Sequence, residues 1–220
     1  MGIQERKNRQ KQLLRQEILD AAREMFVQDG YEGVSMRKIA QKIEYSPTTI
    51  YHYFNDKAEL LRHILCETFE RLNKQLDVTL GAPRANSLQC LQAGMKEYVA
   101  FALKYRSHYY VTFMLIGAKE SPSEQSPNVH AIGMTAFDYL RQAVKRAMED
   151  GFLAKADLEL TSQTAWVGIH GVSALLLNMG CEFPFVDHQR LIDHTIRTIL
   201  IGLGADTAAL EISAEEPATP

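Results

Sequence analysis

Apolar side chains recur at helical spacing along nearly the whole chain. The first segment illustrates the pattern, with apolar residues mostly three or four apart at Leu14, Ile18, Ala21, Ala22, Met25 and Phe26. This spacing places one apolar stripe along an α-helix. The sequence contains no run with the alternating apolar and polar residues of a half-buried β-strand. It therefore predicts an all-α chain.

Glycine, proline and capping residues divide this helical pattern into segments. Gly30 is expected to end the first helix and Ser35 to cap the second. The second, third and fourth helices are expected to cover residues 35–43, 46–54 and about 56–78. Five more helices are expected at residues 86–104, 106–117, 129–150, 158–179 and 187–203. The segment 205–220, acidic and rich in Pro and Ala towards its end, is expected to be a disordered tail.

Composition narrows the class of protein. The formal net charge is -3, but residues 1–74 carry 13 Lys and Arg against 11 Asp and Glu, while the remainder carries 11 against 16. A mildly basic N-terminal part and an acidic remainder indicate that the two parts have different partners. Cys66, Cys90 and Cys181 show no CxxC spacing, so we expect a reduced, cytoplasmic protein with no metal and no cofactor. The polar first residues predict no signal peptide, and no apolar run reaches the ~20 residues of a membrane span.

Only the dipeptide EY separates the second and third predicted helices, and so short a connection makes the two helices cross sharply. This is the geometry of a helix-turn-helix, whose second helix can lie in the major groove of DNA. Ser46 is a good N-cap, and Pro47 suits the first helical position. The free N–H groups at that helix end favour a phosphate. Thr48 and Thr49 follow, with hydroxyl and methyl groups suited to base edges.

The rest of the third helix fits the same interpretation. Ile50 and Phe54 lie four residues apart and are expected to face the core, whereas Tyr51 and His52 are expected to face outward and bind phosphates. Lys57 lies in the first turn of the next helix, where the helix dipole disfavours a cation unless an anion is close. An ordinary aromatic-rich core helix is the alternative, but it would not expose a Tyr-His pair beside two threonines.

Basic side chains precede and enter the first helix, at Arg6, Lys7, Arg9, Lys11 and Arg15. Residues 1–12 are therefore interpreted as a basic arm. Such an arm can enter a minor groove of DNA. A solvated helix end is an equally good interpretation.

The stretch ILDAAREMFVQDGYEGVSMRKIAQKIEYSPTTIYHYFNDKAEL carries a family likeness. Its Ala-Ala and Phe, the Gly-Tyr turn, Ser-Pro, and Ile-Tyr-x-Tyr-Phe-x-x-Lys-x-x-Leu resemble the N-terminal DNA-binding domain of the TetR (tetracycline repressor) family of bacterial transcriptional regulators. The likeness spans about residues 12–61. It departs at Glu44, where the family often has Gly. A residue other than Gly in that turn is expected to adopt a positive φ, at a cost of about 1 kcal/mol.

The resemblance implies a helix-turn-helix DNA-binding domain at residues 1–55 and a helical ligand-binding and dimerisation domain at residues 56–204. It also implies a homodimeric repressor that binds a palindromic operator in double-stranded DNA and is released by a small-molecule effector. By motif position, the DNA contacts would be Ser35, Arg37, Ser46, Pro47, Thr48, Thr49, Tyr51, His52 and Lys57. Of these, Arg37 and Thr48 are assigned to base edges and the others to phosphates.

Aromatic and methionine side chains at helical spacing mark a candidate ligand pocket in the C-terminal part. They are Tyr98, Phe101, Tyr105, Tyr109, Phe113, Met134 and Phe137, with Trp166 and His170. Such stripes are usually core, yet a core rarely needs so many phenolic hydroxyls, and an apolar cavity with a few polar groups suits a small apolar or aromatic ligand. Trp166, His170 and Gly171 also resemble the Trp-His-Gly signature of one subgroup of TetR C-terminal domains. His170 is interpreted with equal weight as a pocket donor or as a core histidine with its hydrogen bonds satisfied.

The last two predicted helices are the best candidates for a dimer interface. Ala165, Gly168 and Val172 would let helices approach closely. An apolar row follows the last helix at Leu191, Ile192, Ile196, Ile199, Leu200 and Leu203. Two such helices from each of two chains would form a bundle. In the alternative, these stripes pack only within one chain.

Two other classes of function stay open. An enzyme acting on a small aromatic substrate would use Trp166, His170 and a cysteine, although no Ser-His-Asp order, metal spacing or Gly-rich phosphate loop accompanies them. A non-specific architectural DNA-binding protein would be expected to be more basic than this chain. The sequence favours a ligand-responsive transcriptional repressor.

Overall fold

The computed structural model describes residues 2–115, 127–179 and 183–210, and these residues form helices joined by turns, with no strand among them. In chain order the helices are α1 (Ile3–Gly33), α2 (Met36–Lys42), α3 (Pro47–Tyr51), α4 (Lys57–Gly81), α5 (Ser87–Lys104), α6 (Arg106–Tyr109), α7 (Pro127–Glu149), α8 (Leu158–Asn178) and α9 (His188–Gly202). Helix α6 continues as a π-helical turn over Tyr110–Met114. The prediction of an all-α chain is confirmed.

The described residues divide into two compact units. The first comprises the chain up to Glu70 together with Tyr105–Gly133, and the second comprises Arg71–Lys104 together with the chain from Met134 onward. The core of the first unit is a cluster of buried apolar side chains from α1 to α4 that includes Ile18, Ala22, Phe26, Ile39, Ile50, Phe54, Leu61 and Ile64. Val111 and Val129 complete this cluster from the later segment of the same unit.

The sequence predicts that the first helix ends at Gly30, and in the structure α1 is interrupted there. Gly30 has φ 70° and ψ 169°, a conformation that is essentially reserved for glycine. The helix then resumes and ends at Gly33, and the buried side chain of Val34 follows it. Gly30 therefore interrupts the first helix at the residue where it was expected to end, and one further turn follows.

Helices α5, α8 and α9 pack against one another in the second unit. Each contributes a buried apolar stripe, and the three stripes include Leu88, Leu91, Val99, Ala165, Ile169, Leu176, Ile192, Ile196 and Leu200. Gly168 marks a close approach of α8 to α9, because a Cβ added there would lie 2.3 Å from Cδ1 of Ile199.

Part of the segment expected to be disordered is folded in the second unit. The Asp206 N–H donates to the carbonyl of Phe152 over 2.9 Å, the Asn86 amide donates to the carbonyl of Ala209 over 3.1 Å, and Leu210 is buried. The folded chain therefore extends to Leu210. Residues 211–220 of the predicted tail, and Cys181, lie outside the described residues.

The turn between α2 and α3 contains a strained residue. Glu44 has φ 60°, and among the described residues it alone combines a positive φ with a side chain. Its N–H donates to the carbonyl of Gln41 over 3.2 Å, and the next N–H, that of Tyr45, donates to the carbonyl of Ala40 over 2.9 Å. These bonds close the end of α2 while the left-handed residue redirects the chain into α3. The positive φ expected at Glu44 is confirmed.

Glu44→Gly is expected to raise the free energy of unfolding by about 0.5–1 kcal/mol, because relief of the left-handed strain outweighs the extra freedom of glycine in the unfolded chain. Urea unfolding followed by circular dichroism measures the change. Glu17→Gly is the matched control, since Glu17 is exposed inside α1, where the same exchange should cost about 1 kcal/mol. Equal destabilisation by both substitutions would show that Glu44 is not strained in solution.

Candidate nucleic-acid interface and ligand site

Serine side chains cap both helices of the helix-turn-helix. The Lys38 N–H donates to Oγ of Ser35 over 3.3 Å at the start of α2, and the Thr49 N–H donates to Oγ of Ser46 over 3.1 Å at the start of α3. Pro47 occupies the first position of α3, where no N–H is required. The caps orient the two helix starts, and both capping serines are exposed.

The two sides of α3 differ in burial. Ile50 and Phe54 are buried in the core of the first unit, as their spacing predicts. Tyr51 and His52 are exposed, with 51% of Tyr51 accessible, as predicted. One side of this short helix therefore packs against the core of the first unit, and the other side is exposed to solvent.

Helix α2, which packs against α3, also carries exposed side chains. Seven of the predicted DNA-contacting residues are exposed, namely Ser35, Arg37, Ser46, Pro47, Thr48, Tyr51 and His52. Thr49 is half-buried, and its hydroxyl is 2.9 Å from that of Ser46. Helices α2 and α3 and the residues next to them thus carry exposed hydroxyl, imidazole and guanidinium groups.

Lys57 differs from the other predicted contacts because its ammonium group has partners within the first unit. Nζ donates to the carbonyl oxygen of Tyr31 over 2.7 Å, lies 4.0 Å from the centre of the Tyr31 ring, and is 3.8 Å from a carboxylate oxygen of Glu32. Burial and, secondarily, Glu32 raise the pKa of Tyr31. These contacts account for a cation in the first turn of α4, and contact of Lys57 with a phosphate stays a prediction.

Arg15 supports α3 from α1, a role that the sequence does not reveal. Its guanidinium carbon lies 5.0 Å from the centre of the Phe54 ring, and Nη2 is 3.0 Å from Nδ1 of His63 on α4. Burial, followed by the charge of Arg15, lowers the pKa of His63. Four other basic residues predicted for an N-terminal arm are exposed on the first turns of α1, namely Arg6, Lys7, Arg9 and Lys11.

Tyr45 is a candidate contact that sequence analysis missed. It lies in the turn that leads into α3, and 43% of its side chain is exposed. A large aromatic ring in a connection of only two residues was the signal that could have identified it.

The predicted ligand-site residues are distributed over both units. Tyr98, Phe101, Met134, Phe137, Trp166 and His170 belong to the second unit, and Tyr105, Tyr109 and Phe113 belong to the first. In the first unit the rings of Tyr109 and Phe113 lie 4.7 Å apart, and Tyr109 is fully buried. Phe101 is buried in the second unit.

A polar chain connects three of these residues in the second unit. The Trp166 Nε1–H donates to Oη of Tyr98 over 3.3 Å, and Oη of Tyr98 lies 3.1 Å from Nδ1 of His170. The ring of Phe137 stands nearly perpendicular to that of Trp166 at 6.2 Å. Burial lowers the pKa of His170.

The predicted dimer residues occupy a different side of α8 from its exposed apolar residues. Four are buried within the chain, namely Ala165, Val172, Ile192 and Ile196, while Gly168, Leu191, Ile199 and Leu203 are partly buried. An exposed apolar stripe runs along α8 through Leu160, Val167 and Leu175, with the half-buried Gly171 between the last two. A Cβ added at Gly171 would meet no atom within 4 Å. The predicted residues stay candidates for the dimer interface. Sequence analysis missed the exposed stripe because helical periodicity identifies the apolar faces of a helix but does not show which face is covered by the rest of the chain.

Two further classes of site were sought in the parts of the chain that the structure describes. There, no three His, Cys, Asp or Glu side chains gather as ligands for a metal ion. No helix in those ranges has the length and apolar character needed to cross a membrane.

The fold and the exposed face of α2 and α3 define a helix-turn-helix protein with a helical C-terminal unit. A family model described as "Bacterial regulatory proteins, tetR family" matches residues 18–64, and one described as "Tetracyclin repressor-like, C-terminal domain" matches residues 91–199. The chain belongs to the tetR family of bacterial regulatory proteins.

Known relatives match over part or most of the chain. The HTH-type transcriptional regulator UidR of Escherichia coli K12 is 40% identical over 57 residues, which are 26% of this chain and 29% of UidR. The chain thus spans about three tenths of the length of such curated relatives. The crystal structure of the TetR family regulator PfmR from Thermus thermophilus has a TM-score of 0.70 at 20% identity, covering 84% of this chain and 98% of PfmR. AibR, solved with isovaleryl coenzyme A and operator DNA, has a TM-score of 0.69 at 18% identity, covering 84% of this chain and 97% of AibR.

Ser46→Ala is expected to lower the free energy of unfolding by about 1 kcal/mol, because the Thr49 N–H loses its acceptor at the start of α3. Thr48→Ala, at the neighbouring exposed hydroxyl, should change it by less than about 0.5 kcal/mol. Chemical denaturation of both variants measures the difference. Equal effects would show that Ser46 does not cap α3 in solution.

Proposed function

We propose that this chain is a ligand-responsive transcriptional regulator of the bacterial cytoplasm. In this proposal it binds a palindromic operator as a homodimer and represses transcription until a small apolar or aromatic effector releases it. The observation that carries the proposal is the set of exposed polar side chains on α2, on α3 and next to them, together with the N-terminus of α3 that Ser46 caps. Family membership supports it, and so does the fold shared with AibR, which was solved with both a ligand and operator DNA.

Helix α3 would lie in the major groove, with its N-terminus towards the DNA. Thr48 and Arg37 would contact base edges, for which a short hydroxyl and a forked guanidinium are suited. The remaining groups would contact or flank phosphates and thereby set the register, namely Ser35, Ser46, Pro47, Thr49, Tyr51, His52 and Lys57. Residues 1–55 would form this DNA-binding domain, and residues 56–204 the ligand-binding and dimerisation domain.

Two copies are needed because a palindrome presents two half-sites in successive major grooves, about 34–36 Å apart. We place the contact between copies on α8 and α9. The exposed stripe of Leu160, Val167 and Leu175 is the apolar surface that a second copy would cover. Gly171 at its centre would allow two copies of α8 to approach closely.

The effector would bind beside the aromatic residues of the second unit, around Phe137, Trp166 and His170. The rings of Phe137 and Trp166 lie 6.2 Å apart and those of Trp166 and His170 5.5 Å apart, and aromatic side chains with a few polar groups are typical of ligand sites. The Trp-His-Gly residues of α8 would place this C-terminal domain in the subgroup with that signature. Release from DNA requires that the effector bind one arrangement of the dimer more tightly than the other.

Selection of bound sequences from a random double-stranded DNA pool tests the proposal, using purified protein at fixed moderate salt. Enrichment of an inverted repeat is the expected result. Weak, salt-sensitive binding to every sequence would favour the architectural alternative. Turnover of a small aromatic compound by the purified protein would favour the enzyme alternative.

Thr48→Ala is expected to relax sequence preference at one base position in each half-site, because a base-edge contact is lost. Tyr51→Phe should instead weaken binding to all sequences with little change in salt dependence, since a hydroxyl–phosphate bond neutralises no charge. Repeating the selection and the salt titration on both variants measures these effects. A selected site unchanged by Thr48→Ala, or changed by Tyr51→Phe, would contradict the assigned roles.

Gly171→Gln is expected to yield a folded monomer, because a Cβ added there has no other part of the chain within 4 Å, whereas the longer side chain would obstruct a second α8. Gly168→Gln is the matched variant, and there the new side chain would collide with Ile199 and lower the midpoint of thermal unfolding. Sedimentation velocity and circular dichroism distinguish the two results. A Gly171→Gln protein that stays dimeric would remove this face of α8 from the interface.

A further inference from the structure

Three side chains from different parts of the first unit meet at the end of α3. The guanidinium carbon of Arg15, on α1, lies 5.0 Å from the centre of the Phe54 ring, and Nη2 of the same side chain reaches the ring of His63, on α4. The His63 ring also stands edge-on to the Phe54 ring, with the ring centres 5.5 Å apart. Phe54 is the buried residue that follows α3, so this cluster supports the end of that helix.

The contact between Arg15 and His63 requires a neutral imidazole. A guanidinium can only donate hydrogen bonds, so the imidazole must accept. Nη2 of Arg15 lies 3.0 Å from Nδ1 and 3.2 Å from Nε2, and in either neutral tautomer one of these two nitrogens carries no proton. A protonated imidazole has an N–H at both positions and accepts at neither. Protonation would therefore replace a hydrogen bond with repulsion between two cations.

The surroundings of His63 favour its neutral form on balance. Burial has the largest effect and lowers the pKa of His63, and the charges of Arg15 on α1 and Arg62 on α4 lower it further. Glu59, also on α4, acts in the opposite direction, with a carboxylate oxygen 3.8 Å from Nε2. The other oxygen of Glu59 accepts from the backbone N–H and from Nδ2 of Asn55, over 2.7 and 2.9 Å. The segment after α3 contributes an uncharged phenyl ring.

We propose that His63 is a positioning residue for α3, because its neutral ring holds Arg15 against Phe54 and its protonation displaces Arg15 and loosens the helix. The helix is sensitive to this loss because it covers only Pro47–Tyr51 and depends on packing for its stability. The consequence for DNA rests on the proposed function, in which α3 carries base and phosphate contacts. Binding to the operator then weakens as the pH falls, through a residue outside the predicted DNA contacts.

The pH range of the effect follows from the direction of the pKa change. In the unfolded chain the pKa of His63 is close to its ordinary value of about 6.5, and in the folded chain it is lower. Between these two values the unfolded chain binds a proton that the folded chain does not bind, so stability falls as the pH falls. The contribution of the neutral ring is therefore complete above about pH 6.5 and is lost as the pH falls through the folded pKa.

Amide hydrogen exchange of the protein without DNA tests the inference. The N–H groups of Tyr53 and Phe54 both donate to the carbonyl of Ile50, over 2.9 and 3.0 Å, so their protection factors report on the turn that anchors α3. In the parent chain this protection is expected to fall severalfold between about pH 7.5 and about pH 5, because His63 takes up a proton in that range.

His63→Gln is expected to abolish the pH-dependent fall, because an amide oxygen can accept from Arg15 at every pH and does not titrate. His130→Gln is the matched control, since His130 is an exposed histidine of the same unit, and it should leave the fall unchanged. Circular dichroism checks that each variant is folded.

Arg15→Met provides a second measurement that does not depend on the first variant. It removes the charge but keeps an apolar side chain over Phe54, so the pKa of His63 should rise towards 6.5. Titration of the His63 ring signals by nuclear magnetic resonance measures this shift in the parent chain and in the variant.

Protection that does not change with pH in the parent chain, or a fall that persists in His63→Gln, would overturn the inference. So would a pKa of His63 that Arg15→Met leaves unchanged. Selection of operator DNA judges the regulator function separately. On a selected operator, acidification should raise the dissociation constant of the parent more than that of His63→Gln, and protonation of the exposed His52 is common to both. Equal rises in the two proteins would contradict the effect on DNA binding.

Discussion

Packing of Ile50 and Phe54 into the core of the first unit is the interaction on which the placement of α3 depends. Helix α3 covers only Pro47–Tyr51, and a helix this short has no stability of its own. Those two side chains tie it to the core formed by α1, α2 and α4, and Arg15 packs against the Phe54 ring from α1. Tyr51, which is proposed to contact DNA, is next to Ile50 in the chain. Its orientation is therefore a consequence of core packing.

Features determined by neighbouring residues could be predicted from the sequence, whereas features determined by distant ones could not. The caps at Ser35 and Ser46 and the inward face of α3 depend on a few adjacent residues, and the structure confirms them. The partners of Lys57 and Arg15 lie 26 and 48 residues away along the chain, so no local pattern reveals them. The positive φ at Glu44 was predicted from the family resemblance, because the family often has Gly at this position of the turn.

Two glycines of α8 in the second unit also show that features determined by distant residues cannot be predicted from the sequence. Gly168 and Gly171 are three residues apart on α8 and look equivalent in sequence. A side chain at the first would strike Ile199, whereas one at the second would enter open space. Helical periodicity locates both faces, but only the position of α9 shows that the chain itself covers one of them. The polar chain from Trp166 through Tyr98 to His170 could likewise not be predicted from the sequence, because Tyr98 lies on a different helix, α5.

The modest charge of the N-terminal part bears on how such a regulator would be controlled. With 13 basic against 11 acidic residues in the first 74, one DNA-binding domain gains little affinity from neutralising phosphates. In the proposed dimer, linkage of the two DNA-binding domains would supply much of the binding, because the second domain would act at an effective concentration set by their spacing. An effector that alters this spacing removes the contribution of linkage without touching any DNA contact. A tenfold change needs a difference in effector binding of about 1.4 kcal/mol, which is about the size of one hydrogen bond made in only one arrangement of the dimer.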